Sequence, residues 1–315
     1  MREILKRRPP SLTPDMILTD RKRIAAARLS NQEIEHEGRF TLQSFVLDAH
    51  RGDVSLLVAR PSGTRTPVAF AYNMHGGGMI AGHNRSPELI GELDRAHELG
   101  MAVVSINYRL APEHPDPTPV EDCYAGLLWT VAEAAELGLD ADRVILTGAS
   151  AGGALAAGVA MMARDRGGPP LLGQMLLCPM TDDRVATPSA AQMDGRGLWD
   201  ATSNVTAWTA LLGTRRGTEA VSPYAAPARA TNLAGLPPAF IDVGAAEALR
   251  DEAIDYAARL SRAGVHAELH VWGGAFHSFD EWVPEARVSK TARAARVDWL
   301  ARLLAAPPAS PRPTP

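Results

Sequence analysis

The stretch Arg143-Val-Ile-Leu-Thr-Gly-Ala-Ser-Ala-Gly-Gly153 decides the architecture. Its first part, Arg143–Gly148, is short, apolar and β-branched, and reads as a buried strand. Its second part places Gly148, Ser150 and Gly152 at alternate positions and runs into the alanine-rich helical stretch Ala151–Arg164. Strand, sharp turn and helix are the context in which G-x-S-x-G exposes a serine. Gly148 and Gly152 leave space where side chains would collide across the turn. Ser150 then adopts a strained backbone and stands above the sheet, facing the positive end of the following helix, which favours a developing anion. The bland alternative is a glycine-rich turn that only packs a helix on a strand.

Outward from this turn, β-rich runs alternate with helical ones. Val54–Ala59, Pro67–Met74, Met101–Tyr108, Gly173–Cys178, Ala239–Gly244 and His266–Trp272 read as strands. Pro87–Leu99, Val120–Leu137 and Arg250–Ala263 read as helices beside Ala151–Arg164. Buried strands alternating with helices predict the α/β class, with a mostly parallel sheet covered on both faces. No helix separates the early strands around Ser44–Ala59, so the sheet is expected to start antiparallel.

Two segments break the rhythm. Residues 1–40 have helical composition and precede the first strand; residues 181–215 form a long interruption carrying Trp199 and Trp208. Both read as a helical cap over the sheet's carboxyl edge, where such sheets place their ligands. The expected division is an N-terminal cap segment 1–40, a core of 41–180 and 216–304, a cap insertion 181–215 and a proline-rich tail 305–315.

Composition narrows the partners. The chain has 315 residues, 46% hydrophobic and 22% charged, with net charge −4, which gives no bulk attraction for nucleic acid or anionic lipid. The basic residues Lys6, Arg7, Arg8, Arg21, Lys22 and Arg23 read as a solvated helix face. The start lacks a signal-peptide pattern, and the longest apolar stretch, Ala154–Ala163, is too short for a bilayer. A cytoplasmic protein with no membrane partner is expected; the oligomeric state is open, a homodimer being the commonest oligomer in general. Cys123 and Cys178 read as reduced, buried thiols.

The loop after Pro67–Met74 is His75-Gly-Gly-Gly78. Glycines here let backbone N–H groups point into a cavity, which suits an oxyanion. Gly77, Gly78 and Ala151 are the expected donors; Gly76 and His75 support the loop, with His75 orienting it rather than moving a proton. His277 follows the last strand, and in folds with this turn the order is serine, acid, histidine. His266 and His270 share one strand face without a cysteine or carboxylate cluster, so a metal site there is not expected. The acid should follow Ala239–Gly244. Asp242 lies inside the strand, and Asp251 and Glu252 sit in the first turn of the next helix, where carboxylates are favoured for structural reasons. Glu247 lies in the loop, where it could hold the His277 tautomer.

Together these residues resemble the bacterial hormone-sensitive-lipase-like (family IV) esterases, a branch of the α/β hydrolases. The resemblance rests on His75–Gly78, Tyr108-Arg-Leu-Ala-Pro-Glu113-His-Pro, Pro119-Val-Glu-Asp122, the turn Gly148–Gly153, Leu249-Arg-Asp-Glu252 and His277, in order over residues 40–300. It implies the α/β-hydrolase fold with a cap, and a bracing role for Arg109 and Glu113. Two motifs depart from the family pattern. Ala149 stands where an aspartate is usual, and Glu247-Ala-Leu-Arg-Asp-Glu252 replaces Asp-Pro-Leu-Arg-Asp-Glu, which makes the expected acid a glutamate.

The expected activity is hydrolysis of short- to medium-chain carboxylic esters through Ser150, His277 and Glu247, with no metal or organic cofactor. Two rivals stand beside it: cleavage of another acyl bond (lactone, amide or carbonate), and a non-catalytic ligand-binding protein on the same fold. Haloalkane or epoxide chemistry would need a carboxylate at position 150. Trp199, Trp208, Leu211 and Leu212 could line an acyl pocket or form cap core.

Overall fold

The computed structural model describes residues 11–47 and 54–305. Lys6, Arg7 and Arg8 and all but the first residue of the proline-rich tail lie outside the described residues.

Eight strands form one sheet: β1 (Phe40–Leu47), β2 (Val54–Pro61), β3 (Val68–Met74), β4 (Ala102–Asn107), β5 (Leu139–Ala149), β6 (Gly173–Leu177), β7 (Ala239–Gly244) and β8 (Ala267–Trp272). Their spatial order is β1-β2-β4-β3-β5-β6-β7-β8. The β1/β2 and β2/β4 pairs are antiparallel, and every later pair is parallel. The expected antiparallel start is therefore present.

Side chains alternate across the sheet with the strand period of two. Phe70, Tyr72 and Met74 of β3 face one core with the helices Thr118–Ala132, Ala151–Asp165 and Arg250–Arg262. Ala69 and Ala71 face the other, with Leu89, Leu93, Trp299 and Leu300 from the helices Leu89–Leu99 and Arg287–Ala305. Burying each large apolar side chain contributes roughly 1.5–3 kcal/mol, so covering both faces stabilises the parallel arrangement.

The register positions the site. Met74 pairs with Gly148, Gly148 with Leu176, and Leu177 with Asp242. The carboxyl ends of β3, β5, β6 and β7 thus finish at one edge, and the loops after them converge there.

Several sequence expectations need correction. Val120–Leu137 is two helices, Thr118–Ala132 and Ala134–Leu137, because Glu133 leaves helical backbone. The C-terminal helix Arg287–Ala305 was not expected. β1 begins at Phe40, earlier than the hydrophobic pattern suggested. The connection between β6 and β7 runs over 178–238, with helices Pro188–Gln192 and Ala201–Leu212 inside it. Among the described residues, no helix is long and apolar enough to cross a membrane.

Candidate active site

Ser150 sits between β5 and the helix Ala151–Asp165 with φ 58° and ψ −119°, a conformation a non-glycine residue holds only under constraint. The constraint is visible. Its N–H donates to the Leu177 carbonyl at 2.8 Å, and its carbonyl accepts from Met180 N–H at 3.0 Å. A Cβ at Gly152 would lie 1.9 Å from the Met74 carbonyl oxygen, and one at Gly148 2.3 Å from the Gly152 backbone. Both glycines are sterically required, and Ser150 is pressed up to the sheet's edge.

The loop after β3 lies alongside. Gly77 and Gly78 have φ 104° and 64°. Among the described residues, the N–H groups of Gly77, Gly78 and Ala151 have no acceptor, so they are available to a ligand oxygen. Gly76 N–H donates to Glu88 Oε1 at 2.9 Å, which ties the loop to the start of the helix Leu89–Leu99. Burial pushes the Glu88 carboxyl up. Sequence reasoning missed Glu88 because an acid at a helix start already has a reason to be there.

His75 is a structural ring. It stacks on Tyr108 with centroids 4.1 Å apart, and Tyr108 Oη donates to the His75 carbonyl at 2.8 Å. Burial drops the His75 pKa to about 3, so the ring is neutral, with Nδ1 2.8 Å from the Gly76 carbonyl. The neighbouring Arg109 forks onto Asp122 at 2.8 and 2.5 Å. Glu113 pairs with Arg21 at 2.7 Å. Arg21 also donates to the carbonyls of Ile80 and Ala111, so it is a tether of the helix Ile17–Ala26 and not part of a solvated face.

Of the four carboxylates considered after β7, Glu247 is the one that meets His277. Glu247 Oε1 lies 3.5 Å from His277 Nδ1, and its Oε2 accepts from Gly244 N–H at 3.2 Å. Glu247 is 1% and His277 9% exposed. Asp242 is held by Arg296 and Trp272, Asp251 by Ser189 and Arg250, and Glu252 by the N–H groups of Thr181 and Asp182.

A cavity of about 420 Å³ opens above Ser150 and His277. Its walls include Gly76 and Gly77 below, Leu198 and Trp199 of the 178–238 connection, and Ile24 of the helix Ile17–Ala26. Trp199 stacks over His277 with centroids 6.3 Å apart and packs against Gly78. Trp208, Leu211 and Leu212 are buried in the main core instead. The insertion is joined to the N-terminal segment where Ser11 Oγ donates to Asp200 at 2.5 Å and Leu12 N–H to Ser203 Oγ at 2.8 Å.

Cys123 and Cys178 are free and buried. One group among the described residues has the makeup of a cation site: the ligand atoms of Cys178, Glu247 and His277 lie within 4.8 Å of one another. His270 pairs with Glu268 at 2.9 Å and stacks on Trp272, as a packed edge-strand histidine.

This fold and site define a hydrolase built around a serine at a strand–helix turn. The α/β-hydrolase fold family model matches residues 71–281, and the chain belongs to that family, in its hormone-sensitive-lipase-like branch of esterases. The chain is 37% identical to the esterase LipI of Mycobacterium tuberculosis over 218 residues, 67% of this chain and 64% of LipI. A bacterial heroin esterase structure superposes with a TM-score of 0.88 at 36% identity, covering 97% of both chains. The esterase LipW of Mycobacterium marinum superposes at 0.84 and 34% identity, over 93% of this chain and 92% of LipW.

Proposed function

We propose that this chain is a serine carboxylesterase acting on short- to medium-chain esters through Ser150, His277 and Glu247. The observation that carries the reading is the strained Ser150 on the floor of a cavity that His277 also lines, with Glu247 behind the histidine.

The chemistry follows in two halves. Ser150 Oγ attacks the ester carbonyl while His277 Nε2 takes its proton. The carbonyl oxygen becomes an oxyanion facing the N–H groups of Gly77, Gly78 and Ala151, helped by the helix N-terminus. Collapse expels the alcohol, which receives the proton from His277. Water then attacks the acyl-serine, His277 again serving first as base and then as acid. Glu247 holds Nδ1–H and stabilises the imidazolium in each half. No step calls on a metal or an organic cofactor.

The segments 11–40 and 181–215 act as the cap, since Ile24, Leu198 and Trp199 close the cavity over the serine. A volume of about 420 Å³ suits a small ester and leaves little room for a long acyl chain. Hydrolysis of p-nitrophenyl acetate, butyrate, octanoate and palmitate tests this. The reading expects a maximum among the shorter esters and no turnover by Ser150→Ala. Best turnover of palmitate would overturn the size argument, and full activity in Ser150→Ala would overturn the chemistry.

A further inference from the structure

We propose that Cys178, Glu247 and His277 form a binding site for a thiophilic divalent cation such as Zn²⁺ or Cd²⁺, and that the bound ion switches turnover off. Cation binding stands on the geometry alone; the loss of turnover rests on the function proposed above.

The three side chains offer one soft sulfur, one imidazole nitrogen and one carboxylate oxygen, the donor set that tetrahedral zinc takes. All three are buried: Cys178 is 7%, Glu247 1% and His277 9% exposed. Their ligand atoms lie within 4.8 Å of one another, and Glu247 Oε1 and His277 Nδ1 are already 3.5 Å apart. Metal–ligand bonds of roughly 2.0–2.3 Å place neighbouring ligands about 3.3–3.8 Å apart, so the sulfur need close by only about 1 Å.

A second cavity supports the ion. It holds about 40 Å³, with Cys178 and Glu247 in its wall beside Ser278. That is room for an ion and a water ligand. Its wall carries Glu88, Glu92, Asp242, Glu247, Asp280 and Glu281 beside two guanidinium groups, Arg95 and Arg296. Burial pushes the Glu88 carboxyl up and that of Glu281 to about 8, which leaves Glu92, Asp242, Glu247 and Asp280 against the two guanidinium groups. Burial, then the charges of Glu247 and Asp242, push the Cys178 thiol well up. The same negative field that opposes a lone thiolate attracts a cation. His277 lines the outer cavity, and Cys178 and Glu247 the inner one, so the three ligands stand between the two spaces.

Binding balances simply. The Cys178 thiol loses one proton to solvent, and the ion then meets one thiolate and one carboxylate, so its two positive charges are matched. The imidazole stays neutral by moving its proton from Nδ1 to Nε2. In that tautomer Nε2 cannot accept the Ser150 proton, and Glu247 no longer holds Nδ1–H.

Cys178 lines the inner cavity and not the outer one, so Cys178→Ser should keep basal turnover. The experiment titrates Zn²⁺ against p-nitrophenyl butyrate hydrolysis in both proteins. The half-inhibiting concentration should rise at least about tenfold in Cys178→Ser, and EDTA should restore the wild type. In parallel, Cd²⁺ should produce a thiolate-to-metal charge-transfer band in the wild type, weaker in Glu247→Gln and absent in Cys178→Ser, with Cys123 present in all three as control. This titration needs no turnover, so it decides the site even if no ester is cleaved. Equal inhibition of wild type and Cys178→Ser, or no cadmium–thiolate band in the wild type, would overturn the proposal.

Discussion

At Gly78 the backbone has no room for a methyl group. A Cβ there would lie 2.7 Å from the Trp199 ring and 3.0 Å from the Ala207 Cβ, at φ 64°. Gly78→Ala should push the indole off His277 and turn the loop's N–H away from the cavity. The expected loss is about 10²–10³ in kcat, the cost of one oxyanion donor, with a small fall in Tm; steady-state kinetics beside thermal unfolding check it. The strained turn at Gly148, Ser150 and Gly152 was legible in the sequence because local backbone chemistry dictates it, and His277 was placed after the last strand, where it lies. The loop position of Glu247 does bring it beside His277, while Asp251 and Glu252 in the helix's first turn bond elsewhere. Glu88 was not readable, because its bond to Gly76 joins two elements and its position looks like ordinary helix capping. Cys178 hid in the same way: only the fold brings it beside Glu247 and His277.

Helix Ile17–Ala26 reaches the core through a single buried apolar residue, Ile17. Its hold comes largely from Arg21, which grips Glu113 and the carbonyls of Ile80 and Ala111. Arg21→Ala should loosen this helix without unfolding the sheet. Limited proteolysis should cut the N-terminal segment faster, while Tm moves little; unchanged cleavage would show that Ile24 and the Ser11–Asp200 bond suffice. The strands were legible because buried β-branched runs are short and flanked by turns. Helix Arg287–Ala305 was not, for a physical reason. Its buried positions are Ser289, Ala292, Arg296, Trp299 and Leu300, a helical spacing carried mostly by small or charged residues. Arg296 is buried because Asp242 and Asp280 meet it, which no periodicity of apolar residues could reveal. The tryptophans divided similarly: Trp199 lines the cavity and Trp208 fills the core, a distinction set by packing.

For the molecule as a whole, acid stability carries the mark of His75. Burial lowers its folded-state pKa to about 3, below the 6.5 of an exposed ring. Folding therefore favours the neutral ring. This stability is fully present above pH 6.5 and is lost as pH falls toward 3, because the unfolded chain binds the proton first. The unfolding free energy from denaturant titrations should decline across that window, by up to about 1.4 kcal/mol per pH unit from this group, and His75→Gln should flatten the slope. An equally steep slope in His75→Gln would assign the effect elsewhere. We propose that the loops at one sheet edge act together, with Ser150 after β5, Glu247 after β7 and His277 after β8 as one catalytic unit. Its most direct test is kcat/KM for p-nitrophenyl butyrate in the wild type, Ser150→Ala, Glu247→Gln and Asp251→Asn. We expect no turnover in Ser150→Ala, a fall of about 10²–10⁴ in Glu247→Gln and near wild-type turnover in Asp251→Asn. Robust turnover in Glu247→Gln, with collapse in Asp251→Asn, would contradict it.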